Sequence, residues 1–140
     1  MAAEKTLVLI KPDAFKAHHV GDIIKRYEEA GLALCAMKML KMNGDIAAIH
    51  YVEHIGRPYY DSLVEFMGSG PIVAMVLSGD DAIAKVRDLH GATDPAKAAE
   101  GTIRKLYAAS KGENAVHASD SPESAAREIR IYFSDMEIFA

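Results

Sequence analysis

The run Asn114-Ala115-Val116-His117-Ala118-Ser119-Asp120-Ser121-Pro122-Glu123 concentrates the residue types that could do chemistry. A histidine closes a short apolar stretch, small residues follow it, and Ser121-Pro122 marks a helix start, with serine as cap and proline as first helical residue. Free backbone N–H groups and the helix dipole make such a start favourable for an anion. An imidazole at that place suits the handling of a phosphoryl group, and Ala118 and Ser119 leave room beside the ring. A lone histidine is more often a core or capping residue. Here the surroundings favour a nucleophile. Glu128, on the same predicted helix, offers a carboxylate that can fix the ring tautomer and stabilise positive charge on it.

A phosphoryl group also needs cations. Arg87 lies at the end of one predicted helix and Arg104 near the start of another, and both flank the loop that holds Thr93. Guanidinium forks match phosphate oxygens in pairs, and hydroxyls complete the shell. Lys11 stands at the C-terminal end of the first predicted strand, a usual place for ligand contacts. Taken singly, each of these is a surface charge or turn residue. Tyr51, Tyr59 and Tyr60 surround Arg57-Pro58; packing explains them by default, and an exposed ring could stack on a nucleobase. His50 and His54 are four residues apart with Glu53 between them, a weak zinc signal that lacks a third ligand. Neither a Walker-type loop nor a dinucleotide-binding glycine fingerprint occurs.

The elements that must position these residues follow from periodicity. Thr6–Ile10 is a β-rich run ended by a turn at Lys11-Pro12-Asp13, and Val20, Ile23, Ile24 and Tyr27 trace one helical face that stops near Gly31. Leu32, Leu34 and Ala36 alternate, which predicts a strand to about Leu40 with those three on one face. Asn43-Gly44-Asp45 caps a helix carrying Ile46, Ile49, His50 and Tyr51; Arg57-Pro58 breaks it before a short helix through Met67. Gly68-Ser69-Gly70-Pro71 precedes a buried strand, Ile72–Leu77. A helix from Asp80 or Asp81 to Gly91, a loop to Gly101, a helix Thr102–Ala109, a short strand to His117 and a helix from Pro122 to about Phe133 complete the chain. This order predicts an α+β or α/β sandwich, one small sheet with helices covering a face.

Composition sets the frame. The 140 residues suit one domain, 1–140, and half are hydrophobic with 26% charged, as in an ordinary globular protein. The formal charge of −4 supplies no global attraction to nucleic acid or an anionic membrane, so phosphate binding must come from a local cation cluster. Cys35 is the only cysteine, which excludes an internal disulfide and fits a reducing, cytoplasmic setting. The first apolar run is too short for a signal peptide or a membrane span.

Six ordered segments carry a resemblance that covers essentially the whole chain: Ile10–Asp13, Arg57–Tyr60, Ser69–Val76, Gly91–Pro95, Gly101–Arg104 and Asn114–Asp120. The last follows the N-x-x-H-[GA]-S-D signature, and the sequence resembles the nucleoside diphosphate kinases. The resemblance implies a ferredoxin-like α+β sandwich with a four-stranded antiparallel sheet. It implies transfer of the γ-phosphate of a nucleoside triphosphate, mainly ATP, to a nucleoside diphosphate by a ping-pong route through a phosphohistidine on His117. By the same likeness Lys11 and Asn114 contact the sugar and Tyr59 stacks on the base. His54, Arg87, Thr93 and Arg104 hold the phosphates, Tyr51 and Ser119 border the histidine, and Glu128 orients it. Mg²⁺ arrives on the nucleotide rather than in a carboxylate cage, with Asp120 able to reach it through water. A homo-oligomer built from dimers, tetramer or hexamer, is implied as well. Tyr59 replaces the usual Phe, Ala14 a frequent Gly and Glu100 a frequent Pro; Ala118 is one of the two allowed residues; Lys111 stands where an apolar side chain could pack on the base. None of these departures removes a group the chemistry requires. Two other readings share the scaffold: a nucleotide-binding module without turnover, and a phosphohistidine donor directed at proteins.

Overall fold

Two adjacent central strands carry the architecture. The computed structural model describes residues 3–139. Strands β1 (Glu4–Ile10), β2 (Ala33–Leu40), β3 (Ile72–Gly79) and β4 (Val116–Ala118) form one antiparallel sheet in the order β2-β3-β1-β4. Among the described residues seven α-helices surround it: α1 (Pro12–Lys16), α2 (Val20–Glu29), α3 (Gly44–His50), α4 (Tyr60–Met67), α5 (Ala82–His90), α6 (Ile103–Tyr107) and α7 (Pro122–Tyr132). This is the α+β sandwich with a four-stranded antiparallel sheet that the resemblance implies.

The helices cover both faces of the sheet, not one. Alternate residues of β1 and β3 therefore go to different cores. Val8, Ile10, Val73, Met75 and Leu77 pack with Ile23 and Tyr27 of α2, Val86 of α5 and Ile103 of α6. Leu7, Leu9, Ile72, Ala74 and Val76 pack with Ala47 of α3, Met67 of α4 and Ile129 and Tyr132 of α7. Burial on both sides is why these two strands read as continuous apolar runs.

Three local expectations change. The turn after β1 is the short helix α1: Lys11 is its extended cap, Pro12 its first residue, and Asp13 the acid of its first turn. The helix expected over Thr102–Ala109 is the shorter α6, because Thr102 is its cap and its side chain accepts the Lys105 N–H at 3.3 Å. In β2 the alternation breaks at a bulge between Leu34 and Ala36. Cys35 and Ala36 are both buried, whereas Leu34, Met37 and Met39 are exposed. One extra residue switches the parity of a strand, and periodicity alone cannot show where it sits.

Candidate active site

His117 lies in the middle of β4 and pairs with Leu9 of β1. Residues directly opposite one another share a face of the sheet. Leu9 faces α7, so the imidazole faces α7 too, and Glu128 of that helix meets it. Glu128 Oε1 lies 2.8 Å from His117 Nε2 and accepts the Ser119 hydroxyl at 2.9 Å. Burial is the strongest influence on this carboxyl and pushes its pKa up. The hydrogen bond and charge of His117, the charge of His50 and the Ser119 hydroxyl together bring it below the usual range. An ionised carboxylate can only accept, so Nε2 carries a proton, and in the neutral form of the ring the lone pair is then on Nδ1.

The backbone that presents His117 is strained. Val116 N–H donates to the Asn114 carbonyl at 2.8 Å around Ala115, whose φ is 73°. This is a γ-turn, rare for a residue with a side chain. Two contacts from the start of α1 hold it: Asp13 Oδ2 accepts the Ala115 N–H at 3.0 Å, and Lys11 N–H donates to the Ala115 carbonyl at 2.8 Å. Beyond His117, Ser121 caps α7 by accepting the Ser124 N–H at 3.1 Å, as its sequence predicts.

The imidazole is 23% exposed, toward a polar cleft of about 430 Å³. Lys11, Tyr51, His54, Arg87, Thr93, Arg104, Asn114, His117 and Glu128 all line it. The structure thus gathers nine of the eleven expected site residues around one space. Ser119 lies beneath it, fully buried, its hydroxyl on Glu128 and its Oγ 3.3 Å from the Leu7 N–H. Tyr59 stands at the rim, 48% exposed, with its hydroxyl 2.5 Å from His54 Nδ1. Lys111 is exposed.

The cations are held from below. Arg104 donates to the Gly91 carbonyl at 3.0 Å and the Val116 carbonyl at 2.9 Å, which ties it to the end of α5 and to β4. Lys11 Nζ donates to Asn114 Oδ1 at 2.8 Å. Burial, and then the charge of Arg104, lower the Lys11 pKa to about 8, with Asp13 opposing. Burial and the neighbouring Arg87 lower that of Arg104. Lys11, Arg104 and Arg87 thus repel one another across the cleft, and an anion placed among them would relieve that repulsion.

Two residues outside the expected set belong to the site. His50, at the end of α3, sets its ring edge-on to that of His117, with centroids 4.8 Å apart, and its Nδ1 lies 3.0 Å from the Tyr132 hydroxyl. Burial, then the charge of His117, lower its pKa to about 3, so it stays neutral. Arg127 donates to the Ile49 and His50 carbonyls and sits 3.8 Å from Glu128 Oε2. Its only sequence signal is adjacency to Glu128. His50 and His54 do not share a ligand set among the described residues. His50 groups instead with His117 and Glu128, whose donor atoms lie within 4.8 Å of one another.

Known proteins resemble this chain along nearly its whole length. The family model described as nucleoside diphosphate kinase matches residues 4–138. The chain is 53% identical over 138 residues to a nucleoside diphosphate kinase of Persephonella marina, covering 99% of each chain. It is 54% identical over 138 residues to one of Staphylothermus marinus, covering 99% of this chain and 98% of that one. Among solved structures, the Aquifex aeolicus nucleoside diphosphate kinase superposes with a TM-score of 0.94 at 46% identity, over 98% of this chain and 99% of that one. The Halobacterium salinarum nucleoside diphosphate kinase, solved in complex with CDP, gives 0.94 at 42% identity, over 98% and 91%. With a cation-lined cleft around His117 and likeness of this extent along its length, the chain belongs to the nucleoside diphosphate kinase family of phosphotransferases.

Proposed function

We propose that the protein, as a single domain, moves the γ-phosphoryl group of a nucleoside triphosphate, mainly ATP, onto a nucleoside diphosphate through a phosphohistidine at His117. The observation that carries this reading is the Glu128–His117 pair: a carboxylate on Nε2 leaves Nδ1 as the nucleophile, beside a cleft lined by Lys11, Arg87 and Arg104.

In the first step the Nδ1 lone pair attacks the γ-phosphorus, an N–P bond forms, and the bond to the β-phosphate oxygen breaks. The diphosphate leaves with that electron pair. In the second step a different diphosphate attacks the phosphohistidine and returns the lone pair to Nδ1. Donor and acceptor use one cleft in turn, so the kinetics are ping-pong. The exchange replaces one phosphoanhydride with another, and an N–P bond holds the phosphoryl group without trapping it as a stable ester would. Phosphoryl transfer asks the protein mainly for alignment and charge stabilisation. Arg87, Arg104 and Lys11 supply the charge, each worth about 2–4 kcal/mol by analogy with other preorganised donors. His54 and Thr93 complete the phosphate shell, Asn114 joins Lys11 at the sugar, Tyr59 stacks on the base, Tyr51 and Ser119 border the histidine, and Glu128 stabilises the charged ring.

Mg²⁺ is an oxygen-seeking ion that keeps several waters. The compact donor cluster of the cleft, His50, His117 and Glu128, is nitrogen-rich and suits it poorly. Asp120, a cleft carboxylate whose pKa a Ser124 hydrogen bond lowers, would hold the ion on the nucleotide, where it neutralises phosphate charge.

A homo-oligomer is part of the same reading, supported by the exposed Leu34, Met37 and Met39 on the edge strand β2. Light scattering tests it. No helix among the described residues is long and apolar enough to cross a membrane, and a cytoplasmic location completes the proposal. Incubation with γ-labelled triphosphate should leave an acid-labile, alkali-stable label on the protein. The His117→Ala variant should lose both label and turnover, and full activity in that variant would discard the mechanism.

A further inference from the structure

The rim of the cleft holds a hydroxyl that base stacking does not use. His54 ends a 3-10 turn, Val52–His54, and Tyr59 immediately precedes α4. The chain between them doubles back: Arg57 N–H donates to the His54 carbonyl at 3.0 Å, and Gly56 takes a φ of 86°. This reversal brings the two side chains together, with ring centroids 5.6 Å apart and the Tyr59 hydroxyl 2.5 Å from His54 Nδ1. Tyr51 flanks the same imidazole, 6.0 Å away between centroids.

A neutral imidazole has one donor and one acceptor nitrogen. When a phenol donates to Nδ1, the ring proton must sit on Nε2, which then becomes a pure donor. Polyphosphate oxygens are acceptors, so this tautomer attracts them and the other turns a lone pair toward them. A phenylalanine at position 59 would offer the same stacking face without a donor, leaving the half-exposed His54 ring free to rotate and change tautomer.

We propose that the Tyr59 hydroxyl is a positioning group for His54, fixing ring and tautomer so that Nε2–H is presented to the nucleotide phosphates. The aromatic platform for the base and a phosphate donor then form one unit, so how well the base is seated affects how well the phosphates are held. The inference rests on the proposed reading of the cleft as a nucleotide site.

The test uses Tyr59→Phe, an isosteric change at an exposed position. Long-range ¹H–¹⁵N NMR of the nucleotide-free protein should show His54 as the Nε2–H tautomer, and the variant as a mixture. KM for ADP should rise about 3- to 10-fold, more than kcat falls, as expected for loss of one preorganised hydrogen bond. In a His54→Ala background, Tyr59→Phe should change KM no further. Identical tautomers in wild type and variant, or an equal rise in KM without His54, would overturn the proposal. The NMR result does not depend on turnover, whereas absence of label on His117 would instead sink the kinase reading.

Discussion

Replacing Glu128 by glutamine separates its charge from its geometry. One carboxylate oxygen receives both the His117 Nε2–H at 2.8 Å and the Ser119 hydroxyl at 2.9 Å, and an amide oxygen can accept both bonds. What glutamine lacks is the negative charge that faces the imidazole as it becomes positive during attack on phosphorus. A charge-assisted hydrogen bond exceeds a neutral one by about 1–2 kcal/mol, which predicts a ~5- to 30-fold slower phosphorylation step. Alanine removes the acceptor altogether. It leaves Nε2–H and the buried Ser119 hydroxyl without that partner and frees the ring to put its proton on Nδ1, the attacking position. A further loss, to about 100- to 1000-fold overall, should follow. Rapid-quench measurement of label transfer from γ-labelled ATP, with urea unfolding of each variant as a control for folding, gives both rates. A glutamine variant as fast as wild type would refute the electrostatic role. One slower than alanine would refute the geometric argument.

Three other outcomes follow from the buried groups. Lys11, with its pKa lowered to about 8 chiefly by burial, should lose its charge as pH rises through that value. KM for nucleotide should climb there, and Lys11→Arg, which stays charged, should not show the climb; a flat wild-type profile contradicts it. His50, with a pKa near 3 when folded against the ordinary imidazole value of 6.5, stays neutral while the unfolded chain binds a proton between those values. Stability should therefore drop as pH falls through that window, by at most about 1.4 kcal/mol per pH unit from this group. His50→Gln should show a shallower acid limb in urea titrations. Tyr27 and His90 form a fully buried pair, hydroxyl to Nε2 at 2.6 Å, below the end of α5. Tyr27→Phe strands the imidazole and should cost about 1–3 kcal/mol, and adding His90→Leu should recover most of it; simple additivity of the two losses would refute the coupling.

Local signals in the chain determined much of this protein. Ser121-Pro122 caps α7 as read, Gly68–Pro71 precedes β3, and the apolar runs at β1 and β3 mark strands, that of β3 a buried one, because caps, turns and strand periodicity are properties of neighbouring residues. His117, Glu128 and the two arginines stand out by residue type and spacing, and the fold brings them to one cleft. Tertiary structure decided what depends on distant segments. The sheet order, the bulge that buries Cys35, and the covering of both faces come from pairing between strands far apart in sequence. The same holds for His50 and Arg127. Apart from the adjacency of Arg127 to Glu128 neither is marked for its role, since His50 reaches His117 only when α3 packs on α7, and Arg127 holds α3 only from that helix. The Tyr59 hydroxyl meets His54 because Gly56 lets the chain reverse there, a contact that side-chain spacing alone could not specify. Local chemistry named the parts; only long-range packing could set the distances between them.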